Sequence, residues 1–206
     1  MNRLLALTLA LVPVAAAAQD ADKAARKTAA EASLRKQRIS VSSESLQSAV
    51  MSGNVGIVQS LLDAGADPNQ RDEMLNRTPL ATATSLACLV KRVEPESRDA
   101  IIASLLAAGA NPNSVEMGDV PLLVYVAQKC PRPVIEALVK GGAKLDGKSP
   151  QGFTALSMAL LVSNFDAAEA LVDQGARLSP EAKAKLLDGA TDPKLIALVN
   201  RASGPK

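Results

Sequence analysis

The chain of 206 residues has no histidine and no tryptophan, one tyrosine, two phenylalanines and two cysteines. Each shortage removes a class of chemistry. Without histidine there is no Ser-His or Cys-His nucleophile pair. No Gly-x-Ser-x-Gly elbow occurs. Cys88 and Cys130 stand far apart and form no cluster for zinc. Charge of one sign is lacking too: 23 basic residues face 21 acidic ones, for a net charge of +2, which makes no electrostatic case for nucleic acid. The longest apolar run, Leu4 to Ala18, falls short of the roughly 20 residues that a membrane helix needs. The carboxylate pairs Asp72-Glu73 and Glu94/Glu96 lie on polar loops with no apolar pocket beside them. The chain is therefore not read as an enzyme, and no cofactor or metal is expected.

One motif argues otherwise on its face. Gly142-Ala-Lys-Leu-Asp-Gly147-Lys148-Ser149 matches G-x-x-x-x-G-K-S. A phosphate cradle needs a strand before the glycines and a helix after them. Here a helical pattern precedes, and Pro150 and Gly152 obstruct a helix behind. The segment is also in phase with three other connections of the chain, which identifies it as one of them.

What the chain does have begins with an export signal. Asn2 and Arg3 form a short positive start, Leu4 to Val12 is apolar, Pro13 breaks it, and Ala16-Ala17-Ala18 precedes Gln19. This order is that of a signal peptide over residues 1–18, and it predicts an exported protein of the periplasm, with secretion as the alternative. Residues 19–43 carry six basic and three acidic residues and little to bury except Leu34, Ile39 and Val41. They read as a frayed basic helix followed by a Ser-rich linker, either a solvated spacer or an arm that touches anionic envelope surfaces or a partner.

From residue 44 the chain repeats. Gly65-Ala-Asp-Pro-Asn69 returns as Gly109-Ala-Asn-Pro-Asn113, Gly142-Ala-Lys-Leu-Asp146 and Gly175-Ala-Arg-Leu-Ser179. The glycines are 44, 33 and 33 residues apart. Helix starts recur in step at Glu44-Ser45-Leu46, Thr78-Pro79-Leu80, Val120-Pro121-Leu122 and Thr154-Ala155-Leu156. A period of about 33, with Thr-Pro-Leu opening one helix and Gly-Ala following the next, resembles the ankyrin repeat. The resemblance implies an all-α solenoid of about four helix-turn-helix repeats over residues 44–178, with an insertion at about 88–98. A closing pair of helices over residues 179–206 would supply the polar outer face that a terminal repeat needs. The family usually follows Thr-Pro-Leu with histidine, whereas Gln47, Ala81, Leu123 and Ser157 hold that place here. Its polar network must be missing or replaced.

The resemblance also implies a job, since the family usually binds proteins through the hairpin tips and the first-helix face. The tips carry apolar Met74, Leu75, Val115, Met117 and Phe153, flanked by Arg77 and Asp119. Ser48, Thr82, Leu86, Val124, Gln128 and Met158 are expected on the adjoining first helices. The partner is another protein, bound by a monomer. Cell-envelope protection is the implied role, through restraint of a toxin or support of a stress enzyme. The alternative is a scaffold tethered through the basic stem. Cys88 and Cys130 each lie ten residues after the start of a first helix, in adjacent repeats. An even count in an exported chain favours a Cys88–Cys130 disulfide. Packed helices commonly lie 8–10 Å apart, which favours two buried free thiols instead.

Overall fold

A computed structural model describes residues 8–74, 76–89, 93–116 and 118–203; the side chains of residues 8–17, Leu86, Ala87 and Leu89 lie outside the description. Helix α1 spans Thr8–Lys36. Four pairs follow: α2 (Ser43–Met51) with α3 (Val55–Asp63), α4 (Pro79–Leu89) with α5 (Pro95–Ala107), α6 (Leu122–Val126) with α7 (Arg132–Lys140), and α8 (Ala155–Leu161) with α9 (Phe165–Asp173). Helices α10 (Pro180–Leu187) and α11 (Pro193–Ala202) close the chain. Helices α2, α4, α6 and α8 pack in one layer and α3, α5, α7 and α9 in a second. This is the all-α repeat architecture that the resemblance implies.

The repeated residues explain the layers. Leu46, Leu80, Leu122 and Leu156, one from each helix start, are all fully buried. So are Leu61, Leu105, Leu138 and Leu171, each four residues before a repeated glycine. Burial of one such side chain stabilises by about 1.5–3 kcal/mol. The glycines end the second helices. Gly65, Gly109, Gly142 and Gly175 have φ between 91° and 99°, which a side chain would strain. In each case the following alanine donates its N–H at 2.9 Å to the carbonyl of the buried leucine, as from Ala66 to Leu61. This is the Schellman closure. Those alanines, Ala66, Ala110, Ala143 and Ala176, are themselves buried.

Asparagine joins successive repeats. Asn69 Nδ2 donates to Gly109 O at 3.0 Å, and its Oδ1 accepts from Asn111 N at 2.7 Å. Asn113 does the same with Gly142 O and Lys144 N, at 2.9 and 2.8 Å. Asp146 takes the next place in phase and, as a carboxylate, has no N–H for Gly175 O.

The stem differs from the solvated spacer described above. Ala30 and Leu34, four residues apart on one helix face, are buried as α1 packs on α3. The first repeat has no preceding repeat, and α1 covers that open side. The serines after it cap α2: Ser42 Oγ accepts from Ser45 N at 3.2 Å. Helix α6 is also shorter than Pro121–Lys129, the span that its start signal suggests. Pro121 belongs to a hairpin, β1 (Val115–Glu116) against β2 (Val120–Pro121), in which it pairs with Val115. The helix ends at Val126, and Cys130 N closes a turn onto Val126 O at 2.9 Å. Residues 90–92, in the insertion, lie outside the described residues. The insertion leaves α5 with 13 residues, against 9 in α3, α7 and α9.

Candidate binding face

The first-helix layer and the hairpin tips meet at repeats two and three. Gln47 stands where the family usually has histidine, and it rebuilds part of that network. Its Nε2 donates to Asp72 Oδ2 and to Thr82 Oγ1, both at 2.8 Å. The base of the first tip is thereby tied to α2 and α4. In repeat four Ser157 holds the same place and closes a capping box with Thr154.

Beside this network lies the lone tyrosine. The Arg77 guanidinium sits 5.5 Å from the centre of the Tyr125 ring, and Arg77 Nη2 donates to Tyr125 Oη at 3.0 Å. Tyr125 occupies a place where the family usually has alanine. The space it needs comes from the shortened α6 and from Arg77, which stacks on the ring. The pair separates two recesses. On one side a notch of about 200 Å³ is lined by Ser85, Tyr125, Val126, Gln128, Lys129 and both cysteines. On the other a pocket of about 350 Å³ lies between the tips, lined by Arg71, Asn76, Arg77, Val115, Glu116, Gly118 and Asp119.

Cys88 and Cys130 are joined in a disulfide with Cα atoms 4.9 Å apart. Of the two arrangements left open by the sequence, the structure has the bonded one. The chain turns inward after Val126, so Cys130 approaches α4 more closely than a helix axis could.

Glu116 is the electrostatic oddity. Its residue is 5 % exposed, and its Oε1 has no hydrogen-bond partner among the described residues. Arg77 Nε lies 4.0 Å from Oε2, beyond hydrogen-bond reach. Burial pushes the Glu116 carboxyl above its ordinary range, against the opposing pull of Arg71, Arg77 and the Ser114 hydroxyl. Among the described residues Gln47 Oε1, Ser85 Oγ and Ser114 Oγ are likewise buried without hydrogen-bond partners, and these four atoms all belong to repeats one to three.

The residues expected at the binding face divide as follows. Met74 is 94 % exposed at its tip, the most exposed large apolar side chain described. Arg77 and Gln128 are half-buried, and Asp119 is exposed on the second tip with φ of 59°. Phe153 and Met158 are half-buried in repeat four. Phe153 lines a groove of about 400 Å³ with Leu161 and α10, apart from the recesses beside Tyr125. Ser48 is exposed. Two expectations are corrected. Val124 is 1 % exposed, because α6 turns that side chain into the core, and buried Thr82 bonds Gln47. Leu75 and Met117 lie outside the described residues, and the Leu86 side chain is not described. Arg71, Tyr125 and Glu116 were not among the expected residues. Tyr125 alone left a signal, as a large residue at a place for a small one.

Among the described residues no group of three or more His, Cys, Asp or Glu could hold a metal ion, and no helix is long and apolar enough to cross a membrane. The P-loop-like segment leaves helix α7 and runs through turns to a lone bridge between Lys148 and Thr154. Its Ser149 accepts from Phe153 N at 3.2 Å and so serves the turn. The family model for the ankyrin repeat matches residues 45–73, from α2 to the first tip. No curated protein matches the chain.

Proposed function

Because the chain belongs to the ankyrin-repeat family, a family of protein-interaction modules, we propose that it holds one protein partner on the first-helix face and tips of repeats two and three. The observation that carries this reading is Met74, 94 % exposed at the rim of a face that also presents the Arg77–Tyr125 stack. Methionine adapts to varied surfaces, and tyrosine and arginine dominate interface energetics. The module works without catalysis of its own.

The proposed compartment is the periplasm, reached through the signal sequence. Cleavage before Gln19 removes the first turns of α1 and leaves Ala30 and Leu34 in place against α3. In that compartment the Cys88–Cys130 bond persists, and the proposed role is envelope protection through the bound partner. A tethered scaffold is the second reading. What favours it is the exposed surface of α1 from Ala18 to Ala29, which carries Lys23, Arg26 and Lys27.

A photo-crosslinking residue placed at Met74 in the full chain tests the binding reading in the host cell. One discrete adduct is expected, absent when the same residue replaces Gln59, which is exposed on the opposite layer. Equal labelling from both sites, or none from position 74, overturns it.

A further inference from the structure

We propose that the pocket between the tips of repeats two and three receives a basic side chain of the partner, its cationic head seated between Glu116 and Asp119. This rests on the protein-binding reading and names the chemistry that the face selects. Charge alone does not settle the sign, since Arg71 and Arg77 share the pocket with the two acids. The bonding does. The two arginines are engaged: Arg71 donates to Asn76 O and, at 2.5 Å, to Val115 O, while Arg77 donates to Tyr125 and stacks on its ring. The acids are not saturated. Glu116, 5 % exposed, has Arg77 Nε 4.0 Å from its Oε2 and the Ser114 hydroxyl nearby, and its Oε1 is left without a hydrogen-bond partner among the described residues. Asp119 stands exposed on the pocket rim.

A buried carboxylate short of donors asks for N–H groups, and a cationic donor answers both its charge and its hydrogen-bonding capacity. Ser114 Oγ, also buried without a hydrogen-bond partner among the described residues, directly precedes the hairpin and adds a further acceptor. The turn that carries Asp119 fits this task. Gly118 and Asp119 have φ of 73° and 59°, so the rim carboxylate is presented by a tight turn. A volume of about 350 Å³ is ample for a guanidinium or ammonium group with part of its stem. An anionic group would meet arginines whose N–H groups are already directed at carbonyls and at Tyr125, and it would face Glu116 across the pocket.

The full chain, labelled with nitrogen-15, is titrated separately with N-acetyl-arginine methylamide, N-acetyl-lysine methylamide, N-acetyl-glutamate methylamide and magnesium chloride. Saturable amide shifts confined to residues 71–77 and 114–119 are expected with the arginine or lysine probe. Glu116→Gln should weaken that binding by about tenfold, as loss of one charged hydrogen bond implies. Asp119→Asn, at an exposed turn position that asparagine adopts readily, provides a second test independent of core packing. Shifts produced by the glutamate probe or by magnesium in place of the basic probes overturn the proposal. So does affinity for the basic probes that is unchanged in both variants, or no binding of either basic probe. The titration needs no partner. A Met74 adduct with no binding of basic probes defeats this inference alone, whereas probe binding with no adduct defeats the protein-binding reading and leaves a cation pocket.

Discussion

Between repeats two and three the contacts are a disulfide, an asparagine clip and an arginine–tyrosine stack; between repeats three and four they are ion pairs and a helix cap. At the latter junction Arg132 Nη2 meets Asp173 Oδ2 at 2.9 Å, and Arg132 N donates to Asp166 Oδ2 at 2.8 Å. Asn164 Nδ2 donates to Ala127 O and Cys130 O, both at 3.0 Å. Asp173 continues the network to Arg201 of α11, and Glu169 to Lys194 at 3.3 Å. Among the described residues no buried side-chain atom of repeat four or the closing helices is left without a partner. Repeats two and three hold Ser85 Oγ, Ser114 Oγ and Glu116 Oε1 in that state. Each such atom costs about 1–3 kcal/mol. The junction that carries this cost is also the one with a covalent link. The difference teaches that one repeat architecture accommodates two roles: a well-satisfied end that closes the stack, and a cross-linked middle that leaves polar atoms to be satisfied by something else.

The comparison breaks most readily at the disulfide. Replacing Cys88 and Cys130 by alanine opens a constraint with a sequence separation of 42 residues. The chain-entropy model puts the loss at up to ~4 kcal/mol. Urea unfolding of the two forms measures it. A variant as stable as the parent would show that the middle junction needs no cross-link to bear its unpartnered atoms.

The asparagine clips come next. Asn113→Ala removes two hydrogen bonds between repeats two and three and should cost about 1–2 kcal/mol. Asp146→Asn supplies the missing amide N–H at the next junction, where Gly175 O and Arg177 N stand in phase. A gain of about 0.5–1 kcal/mol is expected. Thermal unfolding reads both, and a loss from Asp146→Asn would show that the carboxylate has a role of its own.

The smallest effects, and the sharpest, are in the dependence on pH. The Arg132 hydrogen bond, and then Arg201, hold the Asp173 carboxyl below its ordinary range. Its stabilisation is present above the pKa of the unfolded chain and is lost as pH falls through the lower folded value. Glu116 is displaced the other way, by burial. The folded state binds its proton more tightly, so stability rises as pH falls from neutral through the raised folded value. At neutral pH Asp173→Asn should lower the melting temperature slightly and Glu116→Gln should raise it slightly. The gain from Glu116→Gln should vanish on mild acidification. Asp173 is a third exposed and its pair is screened, so added salt should shrink its effect. Two variants with pH profiles of the same sign would erase the distinction between the junctions.

Much of the architecture was legible because its signals are local. A glycine that must take positive φ, a leucine four residues before it and a Thr-Pro-Leu start declare themselves by type and recur by spacing. The helix pairs from α2 to α9 follow from them. The asparagines recurred in plain view in Gly-Ala-Asp-Pro-Asn and Gly-Ala-Asn-Pro-Asn. Their task, bonding the next repeat, needs the fold to be seen. Met74 could be singled out because an apolar residue in a polar tip contradicts its surroundings. Val124 could not be assigned rightly, because a five-residue helix fixes its facing too weakly.

By itself, the sequence determined the period, the layers and the glycine-marked ends of the second helices, since each depends on the dihedral preference or burial of residues close in the chain. Tertiary structure alone decided that the stem covers the first repeat, because Leu34 finds its burial only against α3. It decided that Cys88 and Cys130 meet at a Cα separation of 4.9 Å, because the chain turns after Val126. It decided, too, that Arg77, Tyr125 and Glu116 gather at one place. Those three lie on separate elements, Arg77 before α4, Glu116 on β1 and Tyr125 on α6, and no local preference brings them together; the stacking of one hairpin on the next does.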